Sequence, residues 1–410
     1  MEEWKQYRLI DVLDTLIDYR GKTPKKTSSG VPLITAKIIK NGRIETPTEF
    51  ISVDDYDSWM VRGFPKVGDV VLTTEAPLGE VAQLDDANIA LAQRVVTLRG
   101  KSDVLDNTYL KYYFLSNVGQ QRLKARETGT TVTGIKQSEL REVIVDVPPY
   151  EVQVGIAKVL KSLDDKIEVN RRINANLEQQ AQALFKSWFV DFEPFRSKPF
   201  VESELGMVPQ GWKNGTLSEI GEIVGGSTPS KAKQEYFTEK GIAWLTPKDL
   251  SISKNIFTSR GNIDITEEGY KNCSAKLMPK GSVLFTSRAP IGYITIAKND
   301  ICTNQGFKSV VPNKAGTAFI YYFLKSTTQE IENKATGSTF KEASGSLIKS
   351  LPLVIPPQSV FDDFELLMKP ILNKMEIIEA ESRCLGCIRD TLLPRLMSGE
   401  LKVKDIEKSL

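Results

Sequence analysis

Two long stretches of the chain carry residues at an alternating four- and three-residue spacing. The first stretch follows Pro148-Pro149, and its spaced positions are Ile156, Leu160, Leu163, Ile167, Asn170, Asn174, Leu177, Ala181, Leu184 and Trp188. The second repeats the series 208 positions later, at Phe364, Met368, Ile371, Met375, Ile378, Ser382, Leu385, Arg389, Leu392 and Leu396. This spacing predicts two long helices with coiled-coil seams, which most simply pair with each other.

Polar residues and a proline interrupt these seams. Asn170 and Asn174 would reduce stability at seam positions, but they can fix the register of the paired helices. A helix from about Tyr150 to Val190 would be roughly 60 Å long, which suits a spacer. Pro370 should either kink the second helix or mark a late start, and the sequence leaves both open.

The rest of the chain contains an internal repeat. Landmarks recur in the same order with an offset that stays between about 205 and 213 residues. The matched pairs are Trp4 with Trp212, Thr23-Pro24 with Thr228-Pro229, 68–79 with 281–292, Gln93 with Gln305, 112–114 with 321–323, 129–131 with 337–339, and 147–149 with 355–357. Each match alone is ordinary turn or strand punctuation, but their order predicts two copies of one domain with pseudo-twofold architecture.

Short β-rich runs alternate with turn clusters and helical stretches in each copy, so we expect α+β folds. The predicted divisions are a first head at 1–148, a first coil helix at 149–192, a linker at 193–211, a second head at 212–356, a second coil helix at 357–400 and a tail at 401–410.

Composition narrows the chemistry. The 410 residues include 54 Lys and Arg against 52 Asp and Glu, so any nucleic-acid surface must be local. The absence of histidine excludes a histidine base or zinc ligand. Cys384 and Cys387 have C-x-x-C spacing without a second nearby pair, which favours helix packing over a metal or redox role. The acidic start and the lack of a long apolar run predict a soluble protein of a reducing cytoplasm, and the family resemblance described below implies a prokaryotic one.

Three fragments resemble catalytic motifs without their context. Gly21-Lys22-Thr23 lacks the earlier glycine of a phosphate-binding loop, because that position is Leu16. Residues 147–150 resemble an amino-methyltransferase loop, but Val147 replaces its polar first residue. Asp164-Asp165-Lys166 lies along the predicted coil without a convincing acidic partner. The sequence therefore predicts no catalytic and no metal-binding residues in this chain.

Basic and polar residues gather in the heads at matched places. Such residues suit phosphate contact and base-edge readout, although a solvated loop or a strand-end hydrogen bond is the competing interpretation for each one. The DNA-binding candidates are Arg20, Lys22, Lys25, Lys26, Lys37, Thr73, Thr74, Gln93, Arg94, Thr130, Thr131, Lys231, Lys233, Lys248, Thr286, Ser287, Arg288, Gln305, Lys308, Ser338 and Thr339.

The duplicated plan of a head followed by a long helix, with these landmarks and the stretch 183–194, resembles the specificity subunits of Type I restriction-modification enzymes. The resemblance implies two target-recognition domains and two helical regions that pair antiparallel and set the spacing of a split double-stranded DNA site. It also implies two methyltransferase subunits, which bring S-adenosylmethionine, and restriction and translocase subunits, which bring ATP and Mg. No cofactor is expected in this chain.

The two heads should read different half-sites, because Lys25–Asp57 and Lys231–Tyr270 barely align although the landmarks do. We therefore expect an asymmetric, interrupted target. The exposed coil faces and the segment Phe185–Phe195 are hypothesised to dock the methyltransferase. A self-contained restriction-methylation enzyme would require motifs that the sequence does not show. A coiled-coil structural adaptor without DNA readout is the alternative from another class.

Overall fold

The computed structural model describes residues 4–129, 133–253, 255–337 and 341–407. The predicted candidates Thr130, Thr131, Ser338 and Thr339 lie outside the described residues. The chain divides into two compact units. The first unit contains 1–168 and 383–410, and the second contains 169–382. Each unit thus holds one head and parts of both long helices.

The first unit is an α+β fold. Its strands are Lys5–Arg8, Leu13–Asp18, Lys26–Thr27, Val31–Ile34, Ile39–Lys40, Arg43–Ile44, Phe50–Ile51, Val70–Thr74, Leu78–Gln83, Ala90–Leu91, Val95–Gly100 and Ile144–Val147. Its short helices are Leu9–Val12, Tyr56–Trp59, Asn107–Leu115, Asn117–Lys124, Gln137–Arg141 and the C-terminal Val403–Glu407. Alternating apolar residues on these strands face a buried core, as their period of two requires.

The central sheet of the first head is antiparallel and four-stranded. Its order is Leu13–Asp18, Val95–Gly100, Val70–Thr74, Leu78–Gln83. The helix Asn107–Leu115 contacts this sheet and buries Tyr109, Leu110 and Phe114. Asp106 begins the helix by accepting a hydrogen bond from the backbone of Tyr109 at 2.7 Å.

The second unit repeats this plan with additions. Its strands are Phe200–Ser203, Gly206–Pro209, Lys213–Thr216, Gly221–Gly225, Phe237–Thr238, Trp244–Leu245, Phe257–Thr258, Asp264–Ile265, Val283–Ser287, Ile291–Ala297, Cys302–Thr303, Lys308–Pro312 and Pro352–Ile355. Its shorter helices are Pro247–Ile252, Glu267–Lys271, Thr317–Lys334 and Gly345–Lys349. The central sheet runs Gly221–Gly225, Lys308–Pro312, Val283–Ser287, Ile291–Ala297, Phe257–Thr258.

Both central sheets contain the same β-bulge. The register shifts between Leu72 and Thr74 in the first head and between Phe285 and Ser287 in the second. The hydroxyl of Thr73 accepts a hydrogen bond from the backbone of Glu80 at 2.9 Å. Thr286 accepts one from Tyr293 at 2.8 Å. The repeat found in the sequence is therefore a repeat of backbone geometry.

Two helices of 40 residues each form the predicted coil, Tyr150–Phe189 and Gln358–Met397. All twenty spaced positions are buried or half-buried. Within the second unit, Asn170 contacts Glu381 and Asn174 contacts Met375, so the helices run antiparallel there. The second helix is already helical from Gln358, which excludes the late start at Pro370.

The predicted linker and tail are both partly structured. The linker contains a short helical turn at Glu193–Phe195 and the hairpin of Phe200–Ser203 with Gly206–Pro209. Phe195 packs with Trp212 and Val360 in a small core of its own. The tail helix packs against the first long helix, where Val403 lies beside Gly155. These contacts fasten both segments to their own unit.

An ion cluster fastens the first head to the coil within the first unit. The carboxylate of Asp164 accepts hydrogen bonds from Tyr112 at 2.7 Å, Arg389 at 2.7 Å and Lys111 at 3.2 Å. Burial alone would raise the pKa of Asp164, but these cationic and hydroxyl partners outweigh it and hold the pKa below its ordinary value. Asp164, the first residue of the acidic triplet noted in the sequence, is therefore a structural anchor.

Glu178 has the corresponding role in the second unit, where it accepts from Tyr322 at 2.8 Å and pairs with Lys325. Among the described residues, no helix combines the length and the apolar character that crossing a membrane would require.

Candidate nucleic-acid interface

In each head, the candidate residues gather where the bulged central strand ends. In the first head the strand ends at Thr74, and the next residue, Glu75, is half-buried with its carboxylate near the surface. The backbone of Thr74 donates to Arg94 at 3.0 Å, and its carbonyl accepts from Ile135 at 2.9 Å. Three chain segments therefore meet at one strand end.

A short hairpin flanks this strand end. Thr128 and Gly134 exchange backbone hydrogen bonds of 2.7 and 3.0 Å, and Gly134 also bridges to Glu75. A Cβ at Gly134 would lie 2.8 Å from the carbonyl oxygen of Thr74 and 2.9 Å from Cβ of Glu75. Only glycine fits there without displacing its neighbours, so the hairpin lies directly against Glu75.

Arg20 joins the neighbouring loop to the base of this hairpin. Its guanidinium donates to the carbonyl of Ile135 at 2.6 Å and pairs with Asp18 at 3.1 Å. Arg62 in turn donates to the carbonyls of Asp18 and Arg20 at 2.7 and 3.0 Å. The structure thus gives Arg20 a cross-linking contact within the head, in addition to the phosphate role that the sequence predicts.

The repeated Thr-Pro and Gln landmarks contact each other in both heads. Thr23 lies 3.3 Å from the side-chain oxygen of Gln93, and Thr228 makes the same contact with Gln305. The two residues are 70 positions apart in the first pair and 77 in the second. Each contact holds the loop with the basic candidates, around residues 20–26 in the first head and 228–233 in the second, against the strand end. The matched landmarks therefore belong to the same local structure in both heads.

The second head has the same backbone arrangement. Ser287 donates to the carbonyl of Gly306 at 2.7 Å, and Ala343 donates to the carbonyl of Ser287 at 2.9 Å. The hairpin is closed by Thr336 and Glu342. Arg288 therefore corresponds in the framework to Glu75 of the first head.

Ion pairs occupy the surface of both strand ends. In the first head, Nε of Arg94 lies 2.7 Å from the carboxylate of Glu75. In the second, Arg288 lies 3.2 Å from Glu342, and Lys308 lies 3.6 Å from the other oxygen of the same carboxylate. The pairs are partly exposed, which leaves their polar atoms accessible from solvent.

Seven of the candidate lysines have exposed side chains. They are Lys22, Lys25, Lys26, Lys37, Lys231, Lys233 and Lys248. Lys26 pairs with Glu49 at 2.9 Å. Lys233 lies 2.9 Å from the hydroxyl of Tyr236, and this hydrogen bond raises its pKa, so it remains charged at neutral pH. Exposed cations on loops suit contact with phosphate.

The structure corrects four of the predicted contacts. Thr73, Thr74, Thr286 and Ser287 are at most 2% exposed, so their hydroxyls do not reach a DNA surface. The two hydroxyls at 73 and 286 shape the bulge instead. The error came from assigning DNA contacts to polar residues of a strand that is buried on both faces.

Sequence reasoning missed Glu75 and Glu342 as site residues. Both are acidic, and a search for basic and amide side chains passes over them. The repeat alignment carries a usable signal, because it places Glu75 opposite Arg288 within an otherwise matched segment.

A family model of the Type I restriction modification DNA specificity domain matches residues 1–179 and 209–362. The chain belongs to this family. The two matched ranges each contain one head, which agrees with the duplicated framework. The predicted family and the α+β fold with a coiled coil are thereby confirmed.

Individual relatives agree with this assignment. The chain is similar to the Type I restriction enzyme HindI specificity subunit of Haemophilus influenzae, with 24% identity over 98% of this chain and 100% of the relative. It is 42% identical to the MjaIX specificity subunit of Methanocaldococcus jannaschii, over 38% of this chain and 37% of that relative. A solved Type I restriction-modification S subunit from M. genitalium shares the fold, with a TM-score of 0.60, 18% identity and 96% coverage of both chains.

Membership of the specificity family gives this chain a role in selecting DNA targets within a Type I restriction-modification system. Such a system implies DNA and further restriction-modification subunits as partners.

Proposed function

We propose that this chain reads a bipartite, asymmetric DNA target, one half-site with each head. The observation that supports the proposal most strongly is the repeated strand end, where identical backbone contacts present different charged side chains. A repeated framework suits two equivalent docking positions on a duplex. Arg94 and Arg288 extend from different framework positions, which suits different base sequences.

The paired helices are proposed to set the distance between the half-sites. Helices of 40 residues are about 60 Å long. This length is slightly less than the rise of two turns of B-form DNA. Asn170 is buried in the seam, and its amide donates to Glu381 at 2.8 Å. A buried polar contact of this kind disfavours sliding of one helix along the other, because a shifted register would leave the amide without its acceptor.

The coil is also proposed to dock two methyltransferase subunits. In the second unit, the helices expose the apolar side chains of Val169, Ile173, Leu366 and Ile377 to solvent. Leu366 and Ile377 are separated by three helical turns and lie on nearly the same side of their helix. Exposed apolar side chains in such rows are typical of protein interfaces.

The aromatic residues of the hypothesised docking segment, Phe185–Phe195, are less suited to contact with a partner than these exposed apolar residues. Phe185 and Phe195 are buried, and Phe189 packs against Phe319 and Phe364 within its own unit. Replacing these residues would disturb folding, so exposed Ile377 and Leu366 are better probes of docking. Glutamate at both positions should weaken association with the methyltransferase while leaving the fold intact.

Catalysis is proposed to belong to partner subunits. The methyltransferase subunits would supply S-adenosylmethionine, and the restriction and translocase subunits would supply ATP and Mg. Within the acidic triplet 164–166, Asp164 has a structural role, because three cationic or hydroxyl partners donate hydrogen bonds to it.

Methylation of a random-sequence DNA library tests this function. The chain is co-expressed with its cognate methyltransferase subunit, and each component is omitted in turn. One split, asymmetric motif methylated only when both are present is the expected result. Methylation by this chain alone would contradict the non-catalytic role. A motif unchanged by omission of the chain would leave only a structural adaptor.

A further inference from the structure

The charged residues at the two strand ends occupy different framework positions. Backbone contacts align Glu75 with Arg288, Arg94 with Gly306, and Gly134 with Glu342. At each strand end an arginine is paired with a glutamate, but the arginine comes from a different segment in each head. In the first head it follows Gln93, and in the second it follows the bulged strand.

Each arginine is held by its glutamate in the protein without DNA. The contact in the first head joins Nε of Arg94 to the carboxylate of Glu75 at 2.7 Å. In the second head, Glu342 contacts Nη1 of Arg288 and also faces Lys308. Pairing restricts the rotamers of a long side chain, so less freedom is lost when the guanidinium meets a ligand.

A glutamate at a DNA-facing surface opposes the general attraction for phosphate. A glutamate beside an arginine at both strand ends is therefore better explained by a role in orienting the arginine than by a role of that pair in contacting the DNA phosphates. A planar guanidinium held in one orientation matches the O6 and N7 acceptors of guanine, the commonest bidentate pairing in the major groove.

We propose that Arg94 and Arg288 each read one guanine, in different half-sites, and that Glu75 and Glu342 are their positioning residues. The inference rests on the proposed function and deepens it. Because the arginines leave the framework at different positions, the two guanines lie at different places within the two half-sites. This difference makes the target asymmetric even though the framework is repeated.

The test compares base preferences in the complex of the full chain with its methyltransferase subunit. Random-library methylation is read at base resolution for wild type, Arg94→Gln and Arg288→Gln. We expect Arg94→Gln to reduce guanine preference at one position of one half-site by about 10- to 100-fold and to leave the other half-site unchanged. Arg288→Gln should do the same in the other half-site.

Arg126→Gln is the matched control, because Arg126 and Glu139 form an ion pair of similar exposure in the first head at 3.0 Å. It should change no base preference. Glu75→Gln and Glu342→Gln retain the arginines and should give smaller losses at the same two positions, which a purely structural role would not produce.

Two results would overturn the inference. One is equal loss of methylation across all sequences, which indicates phosphate contact. The other is unchanged preference at every position. If a glutamine variant does not assemble, Arg94→Lys and Arg288→Lys preserve the charge without the bidentate geometry, and the same positional losses are expected. A wild-type motif that does not depend on this chain would instead refute the proposed function itself.

Discussion

The two heads share a framework and differ at its surface. Both have a central sheet with four antiparallel strands, to which the second head adds the parallel edge strand Phe257–Thr258. Both also have a bulge at the same position and a contact between the matched threonine and glutamine. The first head carries Gly134 where the second carries Glu342, and Arg94 where the second carries Gly306. Folding constrains the buried framework, whereas the exposed strand end is free to differ between the copies. That freedom is what the proposed reading of two different half-sites requires.

Asp164 and Glu178, which anchor the heads to the coil, should show the largest difference in stability between the two units. Asp164 has three partners, including Lys111, which is 8% exposed. Asp164→Ala would leave that cation buried without its partner, so we expect a loss of about 3–5 kcal/mol in the free energy of unfolding of the first unit. Glu178→Ala should cost less in the second unit, because its partner Lys325 is 36% exposed. Urea denaturation measures both.

Asp165→Ala is the control for that comparison. Asp165 forms an exposed helical pair with Lys161, and its removal should cost less than about 1 kcal/mol. Equal losses for Asp164→Ala and Asp165→Ala would contradict the anchoring role. The lowered pKa of Asp164 stabilises the fold at neutral pH, and this contribution should disappear as the pH falls through the lowered value, below about 3.8.

The hairpin that contains Gly134 should give the next largest difference between the two heads. Gly134→Ala introduces a Cβ that lies 2.9 Å from Cβ of Glu75, so the hairpin must shift at a cost of about 1–3 kcal/mol. Gly134→Ala should reduce the base preference of the chain at the first half-site and leave its preference at the second half-site unchanged. Glu342→Ala, at the matched position, removes ion pairs without a clash and should cost less than about 1 kcal/mol. Library methylation measures the specificity of the two variants, and thermal unfolding measures their stability. Equal effects of Gly134→Ala and Glu342→Ala in both measurements would contradict the account.

The two seam asparagines allow a smaller test within the second unit. Asn170 donates to Glu381, whereas the side-chain oxygen of Asn174 is buried and has no hydrogen-bond partner among the described residues. We expect Asn174→Leu to stabilise the unit by about 1 kcal/mol and Asn170→Leu to destabilise it. Denaturation midpoints in the opposite order would show that the two asparagines have been assigned the wrong roles.

Glu365 should give the smallest effect. Burial raises the pKa of its carboxyl, which accepts a hydrogen bond from the backbone of Phe319 at 3.0 Å. The folded state therefore binds a proton more readily than the unfolded state, and the stability of the wild type should fall as the pH rises above about 4.5. Glu365→Gln should reduce this dependence, with a difference below about 1 kcal/mol at neutral pH. A steeper dependence in the variant would contradict the assignment.

The sequence predicted the features that repeat along the chain. The seam positions and the starts of the long helices near Tyr150 and Gln358 follow from periodicity, and the repeated Thr23 and Gln93 landmarks follow from the internal repeat. The contact between Thr23 and Gln93 comes from the structure and was not predicted. Burial of the Thr73 hydroxyl could not be predicted, because it depends on layers that cover both faces of the sheet. The roles of Glu75 and Glu342 depend on loops brought together by the fold, which no local pattern encodes.

The measurement that tests the account most directly replaces the second head with a second copy of the first. Residues 4–148 would be grafted in place of 212–356, in the frame given by the 208-residue offset. The chimera is combined with the methyltransferase subunit and assayed on the random library. We predict a symmetric motif made of two copies of the first half-site. Retention of the wild-type asymmetric motif would contradict the claim that each head reads its own half-site.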